Sequence, residues 1–227
     1  SMGAVVYNCG LVSTPSMFMT IVFPETAFDG SIMITASHLP FNRNGLKFFD
    51  KDGGLENTDI KEILTVAQDC AVAECEKEAE SFDSLSLYTA SLCEKIKAGV
   101  NAEDFDHPLA GLHVVVDAGN GAGGFFAKRV LEELGADISG SQFLDPDGMF
   151  PNHIPNPENA QAMEAIKNAV LDNKADLGII FDTDVDRMSA VLSDGSEINR
   201  DSIIAMMAAI IAKDYPGGTI VTDSVTS

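Results

Sequence analysis

Two short stretches of the chain pair a hydroxyl with a set of hard oxygen ligands. Thr35-Ala36-Ser37-His38-Leu39-Pro40 offers a serine able to carry a phosphoryl group, and Asp182-Thr183-Asp184-Val185-Asp186-Arg187 offers carboxylates at alternate positions. An extended or gently turning loop points alternate side chains to one side, so Asp182, Asp184 and Asp186 can converge on one cation. A serine alone is a weak nucleophile, whereas a phosphoserine is a good donor once a cation withdraws charge from its phosphate. Such transfer needs in-line positioning, charge neutralisation and proton handling at the attacking and leaving oxygens. His38 and Lys47 are the nearby candidates for the proton, while Arg187 and, more remotely, Arg43 are candidates for phosphate contact.

Each group also has a plainer reading. Ser37 is of the type that fills loops and helix caps. The acidic run fits a solvated turn in which Arg187 merely offsets like charges. An EF-hand opening would need glycine where Arg187 stands and a bidentate glutamate where Ser193 stands. A haloacid-dehalogenase-like phosphotransferase also carries paired aspartates after a strand, but expects Thr or Val at position 186.

The elements that must position these loops are visible in the hydrophobic pattern. Ser31-Ile32-Met33-Ile34 reads as a strand leading into the serine loop, and Asn44-Gly45 is a turn signal beyond it. Leu177-Gly178-Ile179-Ile180-Phe181 reads as a strand buried on both faces, leading into the aspartates. Both loops thus follow the carboxyl end of a strand, where open α/β sheets place ligands. Helices are expected over 59–80, 84–98, 125–134 and 159–171, with strands near Val5-Val6-Tyr7, over 112–116 and from Ile138. The apolar stretch 203–212 reads as a buried helix with Met206 and Met207 as core filler. Alternating strands and helices predict an α/β fold, with mixed sheets flanked by helices.

The chain has 227 residues, enough for one large or two modest domains, and a net charge of −21. That charge disfavours nucleic acid, whose binding depends on cationic neutralisation of phosphates. No apolar run approaches the roughly 20 residues that span a bilayer. Cys9, Cys70, Cys75 and Cys93 lack C-x-x-C and zinc-ligand spacing, so reduced thiols in a reducing, cytoplasmic-type compartment are expected. Ser1-Met2-Gly3 looks like a remnant of expression, so the true amino terminus and any targeting peptide are expected to be missing. The acidic residues Glu74, Glu76, Glu78 and Glu80 read as a solvated helix face.

These motifs resemble those of the α-D-phosphohexomutase family, enzymes that move phosphate between the 1 and 6 positions of a hexose. The family's phosphoserine loop, T-A-S-H-N-P then N-G-x-K, is matched by Thr35 to Pro40 and by Asn44, Gly45 and Lys47. Its magnesium loop, D-G-D-x-D-R, is matched by Asp182, Asp184, Asp186 and Arg187, and segments 114–121 and 146–153 are also family-like. Leu39 replaces an Asn and Thr183 a Gly.

The resemblance implies serial α/β domains: 1–95 as the latter part of a first, 96–196 as a second, and 197–227 as the start of a third. It implies a fragment that binds Mg²⁺ weakly and lacks turnover. The fourth metal ligand would come from Ser37 as its phosphate oxygen, Lys47 would assist proton transfer, and hexose 1,6-bisphosphate would act as activator. The partner implied is a phosphosugar, with no nucleic acid or membrane. Glucose, mannose and N-acetylglucosamine stay open as the sugar, as does oligomeric state, although loop 146–157 leans toward the phosphomannomutase/phosphoglucomutase branch.

One rival signal stands apart. Gly119-Asn120-Gly121-Ala122-Gly123-Gly124 matches the dinucleotide fingerprint G-x-G-x-x-G between a strand and a helix. That fingerprint expects an acid about 20 residues on, at the end of the next strand. Ser139 and Gly140 stand there, and Asp137 precedes that strand. The glycines therefore read as tight strand-to-helix packing, with an NAD-dependent oxidoreductase as the alternative and a non-catalytic relative as another. His153 reads as a loop or interdomain residue.

Overall fold

The computed structural model describes residues 3–71 and 78–222. Its first part holds β1 (Tyr7–Asn8), α1 (Thr14–Val22), β2 (Ser31–Ile34), β3 (Leu46–Asp50), β4 (Gly53–Gly54), α2 (Asn57–Asp69), β5 (Glu80–Ser81) and α3 (Ser84–Val100). The second part holds β6 (Val114–Asp117), α4 (Ala160–Asn173), β7 (Leu177–Phe181), β8 (Met188–Leu192) and α5 (Arg200–Ile211). Strands β2, β3 and β4 form an antiparallel sheet, while β1 and β5 pair in parallel. Strand β7 is central in the third sheet, parallel to β6 and antiparallel to β8. This is the α/β fold with mixed sheets that the pattern predicts.

The third sheet is the best-packed part. All four residues of β6 are buried, which suits Val114-Val115-Val116 to a strand covered on both faces. On one face Val115, Ile180 and Val191 pack against Ala162, Ile166 and Val170 of α4. On the other, Val116 and Phe181 meet Ala127 and Leu131, in a helical segment wound as a π-type turn over Ala127–Glu132. Each fully buried valine contributes about 1.5–3 kcal/mol through removal of apolar surface from water. Gly178 lets α4 approach closely, because a Cβ there would lie 2.4 Å from Val170.

Helix ends follow ordinary capping chemistry. The Ser13 hydroxyl accepts from Ser16 N–H, with Pro15 in the first turn of α1. Asn159 caps α4 through the N–H groups of Gln161 and Ala162.

Two expectations are corrected. The helix expected over 59–80 ends at Asp69, and Glu80 lies in β5, held by its N–H to Val6 carbonyl. Parallel pairing with β1 supplies backbone partners that an isolated polar segment lacks. Glu74, Glu76 and Cys75 lie outside the described residues, as do Ser1 and Met2. Helix α5 forms as expected but is not buried: Met206 is 54% and Met207 46% exposed. Apolar composition drives burial only where another element covers the helix, and no described element covers this face of α5. Cys9, Cys70 and Cys93 are free thiols.

Candidate active site

Strand β2 ends at Ile34, and the chain turns back through 35–45 before β3 returns beside it. Met33 pairs with Lys47 and Ile34 with Leu46, so hairpin register fixes where Lys47 emerges relative to the serine loop. The base of the loop is closed by Thr35 N–H donating to Gly45 carbonyl at 3.0 Å. A Cβ on Gly45 would come within 2.8 Å of that Thr35 oxygen, which explains the glycine. Ser37 has φ +54°, a left-handed conformation that is uncommon outside glycine and concentrates at functional sites. Its N–H is held by the Thr35 hydroxyl at 2.8 Å.

The acidic loop connects β7 to β8. Ala122 N–H donates to Thr183 carbonyl at 2.8 Å, and a Cβ on Gly121 would lie 2.6 Å from that oxygen. The glycine-rich turn therefore seats the acidic loop. Gly121 is the fingerprint's second glycine, the one that would face a pyrophosphate, and there the Thr183 backbone stands instead; a Cβ on Gly124 would meet Leu144 carbonyl at 1.9 Å, as close packing requires. At the end of the extended segment beside β6 stands Gln142, whose side chain donates to Asp117. The dinucleotide alternative is thus disfavoured. Thr183, in place of glycine, has no positive φ; that conformation falls on Val185, at +64°.

The two loops meet although their sequences lie about 150 residues apart. Arg187 donates to Ser37 Oγ at 2.9 Å and also contacts His38 Nδ1. Its Nε reaches Asp182 Oδ2 at 3.0 Å, so one guanidinium ties the serine to the first aspartate. Lys47 Nζ bridges Asp184 at 2.8 Å and Asp186 at 2.7 Å. Among the described residues Arg43 makes no such contact; its side chain is exposed, and its N–H donates to Pro40 carbonyl.

The three aspartates each place a carboxylate oxygen within 4.8 Å of the others. Asp182 and Asp184 are buried, and Asp186 is exposed. Burial, together with the charges of Asp184 and Asp186, pushes the Asp182 carboxyl up to about 6, against the hydrogen bonds and charge at Arg187. Burial also acts on Asp184, but hydrogen bonds from Lys47 and Thr14 outweigh it and hold the carboxyl below its ordinary value. Burial would lower Lys47; Asp184 and Asp186 reverse that and raise it.

Asp184 Oδ1 is buried without a hydrogen-bond partner. A buried carboxylate oxygen left unpaired is destabilising unless something else neutralises it. Clustered hard oxygens with one unmet acceptor fit a metal ion.

Thr14 was not legible as a site residue. Its hydroxyl donates to Asp184 Oδ2 at 2.7 Å and its N–H to Asp184 carbonyl at 2.8 Å. The local signal is Ser13-Thr14-Pro15, a helix start whose free N–H groups favour an anion. A cleft of about 410 Å³ opens beside the loop, lined by Pro157, Asp186, Arg187, Met188, Ile203 and Ile204.

His153 lies in loop 146–157, as expected, but is not a solvated loop residue. It is buried, with Nε2 at 3.0 Å from Asp117 and Nδ1 at 3.0 Å from Ile154 carbonyl. It pins loop 146–157 to the end of β6 within one packed unit. Two acceptors facing two ring nitrogens favour imidazolium: burial opposes the charge most, but the hydrogen bond and charge of Asp117 and the Ile154 carbonyl together outweigh it and raise the pKa.

The α/β fold that brings the aspartate triad to the serine loop is one that known proteins share. The phosphoglucomutase/phosphomannomutase α/β/α domain I matches residues 1–70, and α/β/α domain II matches 88–195. The chain belongs to the α-D-phosphohexomutase family. A phosphomannomutase/phosphoglucomutase of Pseudomonas putida is 30% identical over 221 residues, covering 97% of this chain and 45% of the relative. A phosphoglucosamine mutase of Caldicellulosiruptor saccharolyticus is 32% identical over 218 residues, covering 92% and 45%. The crystal structure of a phosphoglucomutase/phosphomannomutase family protein from Burkholderia thailandensis superposes with TM-score 0.79 at 27% identity, covering 95% and 46%. The chain spans about half the length of the curated relatives it matches. Among the described residues, no helix is long and apolar enough to cross a membrane.

Proposed function

We propose that this chain carries the phosphoserine and metal-binding parts of a phosphosugar mutase that interconverts hexose 1-phosphate and hexose 6-phosphate. The observation that carries the reading is the meeting of Ser37 with Arg187 and the aspartate triad, from loops remote in sequence. The names of the matched relatives, mutases of phosphoglucose, phosphomannose and phosphoglucosamine, support a hexose phosphate as substrate. In this reading 1–95, 96–196 and the segment from 197 belong to successive domains.

Phospho-Ser37 gives its phosphoryl group to the free hydroxyl of a hexose monophosphate. The bond from phosphorus to Ser37 Oγ breaks as the bond to the sugar oxygen forms. The hydroxyl proton passes to a base and a proton returns to Oγ. His38, whose Nδ1 lies 3.4 Å from Oγ, and Lys47, held on Asp184 and Asp186, are assigned this role. The resulting bisphosphate reorients and returns its other phosphate to Ser37. Arg187 holds Oγ and positions Asp182, and Arg43 is assigned to phosphate once substrate is present. Asp182, Asp184 and Asp186 would hold Mg²⁺, with a phosphate oxygen on Ser37 completing the set. Bound there, the ion withdraws charge from the transferring phosphate.

The test is phosphorylation of the protein by hexose 1,6-bisphosphate with Mg²⁺, wild type beside Ser37→Ala, mapped by peptide mass spectrometry. One phosphoryl group on Ser37, absent from the variant, is the expected result. An unmodified Ser37 would move the chain to the non-catalytic reading.

A further inference from the structure

The aspartate cluster already contains cations. Arg187 takes Asp182, with Nε and a terminal nitrogen on Oδ2, while the N–H groups of Asp186 and Arg187 take Oδ1. Lys47 takes the other two aspartates through one ammonium. Three carboxylates against two cations leave a single net negative charge. While Ser37 is unphosphorylated, a divalent ion added on top would leave the cluster net positive, in a pocket where Asp184 is only 2% exposed. With the ammonium withdrawn, the same ion brings the cluster to neutrality.

Space gives the same answer as charge for an ion held through the oxygens that Lys47 occupies, Asp184 Oδ2 and Asp186 Oδ2. Lys47 Nζ lies 2.8 and 2.7 Å from Asp184 Oδ2 and Asp186 Oδ2. A magnesium ion bound to both oxygens would sit about 2.1 Å from each. That position overlaps the ammonium. Lys47 is 31% exposed, so its flexible stem has solvent into which to retreat.

We propose that Lys47 is the resident counter-ion of the metal site, and that a divalent cation enters by displacing it from Asp184 and Asp186. Metal entry and release of the lysine are then one event. The proton-handling group becomes available only when the charge-withdrawing ion is in place. This rests on the aspartates holding a metal, as proposed above, but not on turnover.

The test is Mg²⁺ and Mn²⁺ affinity by calorimetry for the wild type, Lys47→Met and Lys47→Arg. Displacement predicts at least tenfold tighter binding for Lys47→Met and none of that gain for Lys47→Arg, which keeps the charge. Unchanged or weaker binding by a folded Lys47→Met overturns the proposal. If that variant does not fold, acylation of wild-type Lys47 is followed by peptide mass spectrometry. Reactivity should rise severalfold on adding Mg²⁺ while Lys51 stays constant; no rise overturns the proposal. Ser37 phosphorylation with unchanged metal affinity in Lys47→Met would remove this inference alone. An unmodified Ser37 with tighter binding would remove the mutase reading alone.

Discussion

Two buried carboxylates at strand ends in the same sheet are treated in opposite ways. Asp117, at the end of β6, accepts from Gly119 N–H, the Gln142 side chain and His153, all within 3.1 Å. Asp184, just past the end of β7, accepts from Thr14 and Lys47 on one oxygen; the Thr35 side chain lies near, but the other oxygen has no hydrogen bond of ordinary geometry. The first is a closed set: every partner is protein, and the pair fastens loop 146–157 to the sheet. The second is open, with charge and a lone pair reserved for something the chain does not itself supply. Burial alone therefore does not mark a functional aspartate. An unmet acceptor beside further carboxylates does.

Exchanging the two aspartates for neutral residues should separate them most sharply. Asp117→Ala leaves the His153 side chain, buried to 1%, without its counter-ion, and should lower stability by about 3–5 kcal/mol in urea unfolding. Asp184→Asn should cost metal-free stability less, about 1.5–3 kcal/mol at most, since Lys47 keeps Asp186 as its partner. It should instead weaken Mg²⁺ binding by at least about 100-fold, since even partners behind the ligands are worth 10–100-fold. Equal destabilisation by both would erase the distinction.

Gly121→Ala should blur the two sites, because Gly121 belongs to the turn beside Asp117 yet packs on the acidic loop. A Cβ 2.6 Å from Thr183 oxygen forces backbone apart. A loss of about 1–3 kcal/mol is expected, accompanied by weaker metal affinity. Stability loss with unaltered metal affinity would show that the turn does not position the aspartates.

The smallest effect is with pH. Asp117 raises the His153 pKa above its ordinary value of 6.5. The folded state then binds this proton more tightly than the unfolded chain. The resulting stability is fully present below 6.5 and is lost as pH rises through the folded-state value. The stability advantage of wild type over His153→Gln should therefore shrink with rising pH. An advantage that grows with pH would contradict the imidazolium assignment.

Much of this was legible because it is local. Ser31–Ile34 and Leu177–Phe181 are strands as expected, since a short apolar run bounded by polar loops has few alternatives. The glycine-rich turn read as packing rather than cofactor binding because its acidic partner was absent. What failed depended on distant neighbours. The helix expected to reach Glu80 stops at Asp69, because Glu80 finds a parallel partner in Tyr7. Met206 and Met207 look like core residues in composition, yet among the described residues they stay about half exposed.

The sequence by itself determined the strands, the two chemistry-bearing loops and the excess of negative charge, because each follows from residue type and spacing along the chain. Only tertiary structure decided that Lys47 lies between Asp184 and Asp186, that Thr14 supports Asp184, and that His153 neutralises Asp117. Those pairings join residues 36 to 170 positions apart. Local propensity carries no information at that range; packing the strands side by side sets which charges meet.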